Sequence, residues 1–471
     1  ALRWADAHDA EREAIALFNG DDHEPVLPPR LRWSAWSAEP HALSDEELST
    51  LWAGLHDALG LPPDPRAPGI APLRLSPRSL AAVARWADAL VLDTPAGRRD
   101  ASDAVAALVI RALRTHQGEM VTPKAVSQLM VALADPRPGE RIYDPCFGTG
   151  GLLLAAADAL WARGREVSAA EWDAALRTPL FGVERQSFLH LVGFVRLLLA
   201  GVRPGLELGD ALEREAAGRH HDQGFDCVLV DPPWGMRPDA ASLYDFAIRG
   251  RQSENLFVQH AVQSLRQGGR AVVAVPPGLL FRSGPDQELR EWLLKQYRVE
   301  AVINLPRGAF RELRSVAPSL LVLRRGGPTE QVRFVELADL PDTVAACRNL
   351  ALALREGDAE AARPHAVQTV DAAELRKADS RFEVPAELAI EANDDLALLA
   401  ERVELVPLKE AADIEAGLSV SKKGWTDKPE GDAPALVRIS SMESHALRVG
   451  DRYLSPDWGK QPSPGQQVQR G

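Results

Sequence analysis

At 471 residues the chain is too long for one ordinary hydrophobic core, so roughly two to four domains are expected. Its composition is that of a soluble globular protein, with 45% hydrophobic and 26% charged residues. No apolar run approaches the ~18 residues of a membrane span, and no basic-then-apolar leader opens the chain, so neither a span nor a secretion signal is expected. A net charge of −13 argues mildly against a protein that grips nucleic acid unaided, because phosphate contacts need Lys and Arg. A local basic surface or a partner subunit can supply them. Cys146, Cys227 and Cys347 stand far apart, with neither metal spacing nor a disulfide framework, which points to a reducing cytoplasm.

Residues 1 to 115 read as a helical domain. Six prolines between residues 61 and 77 mark a stiff strap inside it, and a helical pattern runs over about 100–114. From Pro138 the texture changes to short β-rich runs alternating with helical segments. Strands are expected at 141–144, 180–184, 206–210, 226–231, 271–276, 299–305 and 319–324. Helices are expected at 152–163, 187–200, 255–265 and 286–296. That alternation predicts an α/β domain over 116–340, built on a doubly wound, mainly parallel seven-stranded sheet. The histidines His220 and His221 read as part of a solvated polar loop before the fourth strand, and no metal is assigned. Residues 341–405 read as a helical connector. Residues 406–471 turn to Gly, Ser, Lys and Pro with short β runs such as 435–440.

Ligands on a doubly wound sheet lie at the carboxyl ends of its strands, and four such ends carry informative residues. Asp144-Pro145-Cys146-Phe147-Gly148-Thr149-Gly150-Gly151 follows the first strand and opens a helix, with glycines that permit positive φ and close backbone approach. It is neither the spaced dinucleotide fingerprint nor a phosphate loop with Lys. Glu184 ends the second strand, where an acid suits the hydroxyls of a ribose. Asp210 ends the third and can accept from an adenine amino group. Asp231-Pro232-Pro233-Trp234 ends the fourth, after the apolar run Cys227-Val228-Leu229-Val230. It combines a carboxylate, carbonyls in a rigid turn and an aromatic face, a set able to hold a planar base that bears an NH2 group. A proline-rich turn with a buried Trp has the same letters; the order of glycine loop, Glu184 and Asp210 before it favours the ligand reading.

These segments resemble the amino-group DNA methyltransferases that use S-adenosyl-L-methionine. They are most similar to the modification subunit of type I restriction–modification systems, an N6-adenine methyltransferase. Gly118-Glu119-Met120-Val121-Thr122-Pro123, Ser253-Glu254-Asn255-Leu256-Phe257, Gly268-Gly269-Arg270 and Asn304-Leu305-Pro306-Arg307-Gly308-Ala309-Phe310 fit the same family, in its order, across about 115–340. Only 79 residues separate Gly151 from Asp231, which favours the family's γ arrangement with target recognition after the catalytic core. The family usually has Asn where this chain has Asp231, and Phe or Tyr where it has Trp234. A second resemblance, over Val406-Pro407-Leu408-Lys409 to Gly417 and Val437-Arg438-Ile439-Ser440, is to the opening of a type I specificity subunit's target-recognition domain. It stops before such a domain would be complete, so the chain is expected to be a fragment or to be completed by a partner.

The resemblance implies S-adenosyl-L-methionine as cofactor, held by Thr122, Pro123, Asp144, Cys146, Gly148, Thr149, Gly150, Gly151, Glu184 and Asp210. It implies Asp231, Pro232, Pro233 and Trp234 as the catalytic turn, acting on an adenine flipped out of duplex DNA. Specificity and restriction subunits, or further copies of the chain, are the implied partners. Two readings of other kinds stay open on sequence: a methyltransferase for RNA or a protein amide, and a non-catalytic cofactor-binding assembly subunit. A nicotinamide dehydrogenase lacks the glycine spacing it would need.

Overall fold

A computed structural model describes residues 46, 82, 85–92, 94–113, 121–163, 180–200, 204–238, 243–250, 252–310, 317–358, 361–362 and 365–384, with residues 425–426, 442–443, 446–447 and 453–454 beyond them. The chain divides into two units, Ala1–Pro385 and Ala386–Gly471. The first unit begins, among the described elements, with helix α1 (Pro95–Leu113) and helix α2 (Lys124–Ala134). Strands and helices then alternate as β1 (Ile142–Asp144), α3 (Gly151–Arg163), β2 (Leu180–Glu184), α4 (Ser187–Leu199), β3 (Pro204–Leu208), α5 (Arg214–Gln223) and β4 (Phe225–Val230). The second half continues as α6 (Ser253–Gln263), β5 (Leu265–Val275), α7 (Gly278–Phe281), α8 (Pro285–Gln296), β6 (Arg298–Asn304) and β7 (Ser319–Arg324). Last come β8 (Gln331–Glu336), α9 (Val344–Glu356), β9 (Ala366–Asp371) and α10 (Ala372–Lys377).

The strands form one sheet in the order β3-β2-β1-β4-β5-β7-β6-β8-β9. β3, β2, β1, β4 and β5 run parallel, β7 is antiparallel to both its neighbours, β8 is parallel to β6 and β9 closes the edge antiparallel to β8. All seven expected strands are present, so the α/β, doubly wound and mainly parallel class holds. The sheet has two further strands. The stretch read as a helical connector contributes one of them, β9, whose residues are mostly exposed or half-buried and lack the apolar run that marks the central strands. β4 is the opposite case: Phe225, Cys227, Val228, Leu229 and Val230 are fully buried, as a strand covered on both faces demands. α2 lays Val126, Leu129 and Met130 into the core at helical spacing and packs between α3 and α9.

His220 and His221 overturn the loop reading. They lie in the last turn of α5, and His220 is 5% exposed. The Tyr143 hydroxyl, fixed on the middle residue of β1, is 3.2 Å from His220 Nδ1 and 3.0 Å from His260 Nε2. His221 Nε2 is 3.2 Å from His260 Nδ1. The His220 and His260 rings therefore pack against Tyr143, His220 also nearing Phe225, and burial lowers the pKa of both His260 and His221, the latter to about 4. Polar letters before a strand resembled a loop because histidine can bury when each nitrogen finds a partner.

In the second unit the described residues form two short antiparallel ladders, Trp425–Thr426 with Tyr453–Leu454 and Met442–Glu443 with Ala446–Leu447. The expected β run at 435–440, the proline strap and most of residues 1–115 lie outside the described residues. The expected helix at 100–114 corresponds to α1.

Candidate active site

The chain reverses its direction of travel across the sheet between β1 and β4: β2 and β3 build outward on one side, β5 on the other. The crevice beyond the carboxyl ends of β1 and β4 is therefore the switch point where α/β sheets bind ligands. Asp144 and Asp231 flank it, with Glu184 and Asp210 at the ends of β2 and β3.

The glycine loop is held from below. Phe147 turns its ring into a slot that only glycines leave open: a Cβ on Gly182 would meet Phe147 Cδ1 at 2.7 Å, and one on Gly193 would meet Cε2 at 2.6 Å. The Phe147 N–H donates to the Val183 carbonyl at 3.2 Å and the Gly150 N–H to the Phe147 carbonyl at 2.7 Å. Gly150 has φ 80° and lies close against α4, where its Cβ would be 3.3 Å from Gly193 Cα. Gly148 has φ 54° with no atom nearer than 4.0 Å to an added Cβ, so conformation rather than crowding requires glycine there. Its N–H donates to Glu184 Oε2 at 3.0 Å, while Glu184 Oε1 accepts from the Gln186 N–H at 2.8 Å. Two backbone donors thus orient the Glu184 carboxylate beside the loop. Asp144 Oδ1 accepts the Cys146 N–H at 3.1 Å, and Asp210 Oδ1 accepts the Leu212 N–H at 3.0 Å. The Gly209 N–H donates to the Glu184 carbonyl at 3.0 Å, which ties the ends of β2 and β3 together.

Asp231 completes the cluster. The Thr122 hydroxyl donates to its Oδ2 at 2.6 Å, across 109 residues of sequence. Its Oδ1 is shielded from solvent and has no hydrogen-bond partner among the described residues. The Cys146 thiol donates to the Asp231 backbone carbonyl at 3.5 Å. Burial lifts the Asp231 carboxyl from its ordinary 3.8 to about 7, against the pull of the Thr122 hydroxyl. Burial also raises Asp144 well above the usual carboxylate range, reinforced by Asp231 and Glu184. Burial raises the Cys146 thiol well above its ordinary value, helped by Asp144, Asp231 and Glu184.

The turn after Asp231 is clamped by the start of α6. The Ser253 hydroxyl donates to the Pro233 carbonyl, and the Gly235 N–H donates to Glu254 Oε2 at 2.8 Å. Gly235 has φ 70°, the left-handed conformation that bends the turn back. Pro232 is buried and Pro233 exposed. Trp234 packs against the main core cluster, its ring centroid 5.6 Å from that of Phe310, and its Nε1 is buried without a partner among the described residues.

Thr122, Asp144, Cys146, Gly148, Glu184 and Asp231 are thus linked directly or through shared neighbours, and Asp210 joins through Gly209. Thr149 faces elsewhere. It is 5% exposed, and its carbonyl and hydroxyl accept from the Arg196 guanidinium at 2.6 and 3.2 Å. Arg196 also donates to the Ser102 hydroxyl at 3.2 Å, so this buried residue of α4 fastens the loop to α1. Burial pulls the Arg196 pKa down to about 10, and Asp103 opposes that. A cavity of ≈ 1150 Å³ on the α1 side is lined by Thr122, Pro123, Thr149 and Gly151, while Asp144, Glu184, Asp210 and Asp231 lie outside its lining. Sequence reading missed Arg196, Ser253 and Glu254 as supports. The available signal was a lone Arg in the apolar helix Ser187–Leu199 and an acid in the first turn of a helix that follows the proline turn.

A doubly wound sheet with a glycine loop, carboxylates at successive strand ends and a carboxylate–proline turn defines an α/β methyltransferase. Residues 109–366, more than half of the chain, match the N-6 DNA Methylase family. The chain belongs to that family, whose chemistry is DNA adenine methylation. It is 25% identical over 351 residues to the type I restriction enzyme EcoEI methylase subunit of Escherichia coli, covering 70% of each. It is 27% identical over 229 residues to the MpnII methylase subunit of Mycoplasma pneumoniae, covering 44% of this chain and 40% of that one. The StySPI and EcoKI methylase subunits, like MpnII, are spanned by less than half of their length. A chain from a solved type I restriction–modification assembly is 27% identical with a TM-score of 0.62, over 87% of this chain and 90% of that one. The methyltransferase subunit from Streptococcus thermophilus, 20% identical, superposes with a TM-score of 0.60 over 81% and 90%, which speaks for the fold.

Proposed function

We propose that this chain transfers a methyl group to N6 of an adenine in duplex DNA, as the modification subunit of a restriction–modification system. One observation carries the reading: Asp231 keeps a buried acceptor, Oδ1, without a partner among the described residues, while Thr122 holds the other oxygen. An unsatisfied buried acceptor is costly, and a donor on the guest removes that cost.

S-adenosyl-L-methionine supplies a methyl on a positively charged sulfur. The residues fit such a guest: the carboxyls of Asp144, Glu184 and Asp231 lie close enough to feel one another's charge, a bound sulfonium favours their ionised forms, and the space beside Gly148 is open to backbone approach. Glu184 would take the ribose hydroxyls and Asp210 the cofactor's amino group. Pro123, Asp144, Cys146, Gly148, Gly150 and Gly151 would frame the rest.

The exocyclic nitrogen of adenine is a poor nucleophile because its lone pair is delocalised into the ring. Asp231 Oδ1 and the Pro232 carbonyl would each accept one N6–H, which localises that lone pair. Rate then comes mainly from alignment. The nitrogen becomes cationic only after transfer, and a carboxylate titrating near 7 is suited to receive the released proton at Oδ1. Flipping the base costs a few kcal/mol of unstacking, and an aromatic wall of Trp234 with Phe310 behind it offsets about 1–3 kcal/mol of this. Duplex DNA, specificity and restriction subunits, or further copies of the chain, are the proposed partners, in the cytoplasm. The test is Asp231→Ala: it is expected to fold and bind cofactor while losing methyl transfer, and retained turnover would remove Asp231 from this role.

A further inference from the structure

We infer that Thr122 is a positioning residue for Asp231, fixing which carboxyl oxygen faces the target base, rather than a contact to the cofactor. The inference rests on the methyl-transfer reading above. It starts from two observations on one carboxyl group: Oδ2 is engaged by the Thr122 hydroxyl at 2.6 Å, and Oδ1 is buried and unpartnered among the described residues. An aspartate has two equivalent oxygens and a broad, two-fold χ2. Without a lock, either oxygen could turn toward the base, and the carboxyl plane would be free to tilt.

Thr122 removes that freedom from outside the sheet. It precedes Pro123, the extended residue at the N-cap of α2, and the Ser127 N–H donates to the Pro123 carbonyl at 2.9 Å. α2 is itself anchored by the fully buried Val126, Leu129 and Met130. The hydroxyl is therefore carried on a rigid element and not on a free loop. The other polar groups around Asp231 cannot substitute. Asp144 Oδ1 and both Glu184 carboxyl oxygens are already held by backbone N–H groups of the glycine loop and of Gln186. The Cys146 thiol is directed at the Asp231 main-chain carbonyl. A hydroxyl has a further advantage: it can rotate to donate to an ionised Oδ2 or to accept from a protonated one, so Oδ1 stays the presented acceptor in both states.

The test compares the full chain, with the partner subunits needed for activity, as wild type, Thr122→Val and Thr122→Ser. If Thr122 positions Asp231, Thr122→Val lowers kcat by about 10- to 100-fold, the loss of one hydrogen bond to a charged group. Affinity for S-adenosyl-L-methionine measured by calorimetry stays near wild type, and Thr122→Ser restores most of the rate. Because the hydroxyl pulls the Asp231 pKa down, its removal moves the acid limb of the pH–rate profile to higher pH. Weakened cofactor binding with unchanged kcat would overturn the inference and return Thr122 to the cofactor pocket. A Thr122→Val variant indistinguishable from wild type would overturn it too. If wild type transfers no methyl group with every partner present, the functional reading fails, and the Thr122–Asp231 pairing is decided in the ligand-free chain. There the Asp231 carboxyl titration, followed by carbon-13 NMR and assigned with Asp231→Asn, must move upward in Thr122→Val; an unmoved midpoint refutes the pairing.

Discussion

Replacing Asp231 by Asn isolates what the buried carboxyl contributes. The wild-type group is lifted from 3.8 to about 7 by burial, which corresponds to roughly 4 kcal/mol of penalty for holding it ionised in the folded chain. The sign follows from which state holds the proton more tightly. The folded pKa is raised, so the penalty is absent below the unfolded value near 3.8, grows as pH rises and is complete above about 7. Asn is neutral throughout, keeps Oδ1 as the acceptor, and puts an NH2 group where Oδ2 meets the Thr122 hydroxyl, which rotates to accept. Asp231→Asn is therefore expected to stabilise the cofactor-free protein at alkaline pH and to have little effect in acid. At about 2–4 °C per kcal/mol for a domain of this size, the thermal midpoint rises by up to roughly 10 °C at pH 8, with relaxation of the site reducing the figure. Scanning fluorimetry of both proteins from about pH 4 to pH 8 reads the difference directly. A gain that does not depend on pH, or an Asn variant less stable at pH 8, would refute the burial argument.

Wild-type kcat/KM for methyl transfer should rise with pH through about 7, as the free enzyme's Asp231 ionises, and Asp231→Asn should transfer methyl without that limb; a flat wild-type profile counts against Oδ1 as the proton acceptor. Gly150→Ala forces a side chain into a φ of 80° and 3.3 Å from Gly193 Cα, so it should cost about 1–3 kcal/mol of stability and weaken S-adenosyl-L-methionine binding in calorimetry. Glu254→Ala leaves the Gly235 N–H without its acceptor, and should slow transfer by on the order of 10-fold with cofactor affinity near wild type, as measured by single-turnover kinetics.

The central strands were legible because burial on both faces leaves an apolar run such as Cys227-Val228-Leu229-Val230, and the glycine loop because its conformation demands glycine at Gly148 and Gly150. β9 was not, since an edge strand with one face in solvent carries too few apolar residues to stand out from a connector. The histidines misled for the converse reason: His220, His221 and His260 are polar letters whose partners, Tyr143 and each other, lie up to 117 residues away. Strand-end acids could be placed at the site from sequence because topology alone brings the carboxyl ends together. Which atom each would touch could not. Thr149 reads as part of the loop's ligand face, yet its polar atoms are taken by Arg196. Thr122 reads as pocket wall, yet its hydroxyl is spent on Asp231. Both depend on contacts between distant segments, which spacing within one motif does not encode.

The most direct measurement supplies labelled S-adenosyl-L-methionine and duplex DNA to the chain, with and without the neighbouring subunits, and maps the modified base. The account predicts label on DNA as N6-methyladenine, lost in Asp231→Ala. Label on cytosine, on RNA or on protein, or cofactor binding without transfer when every partner is present, would contradict it.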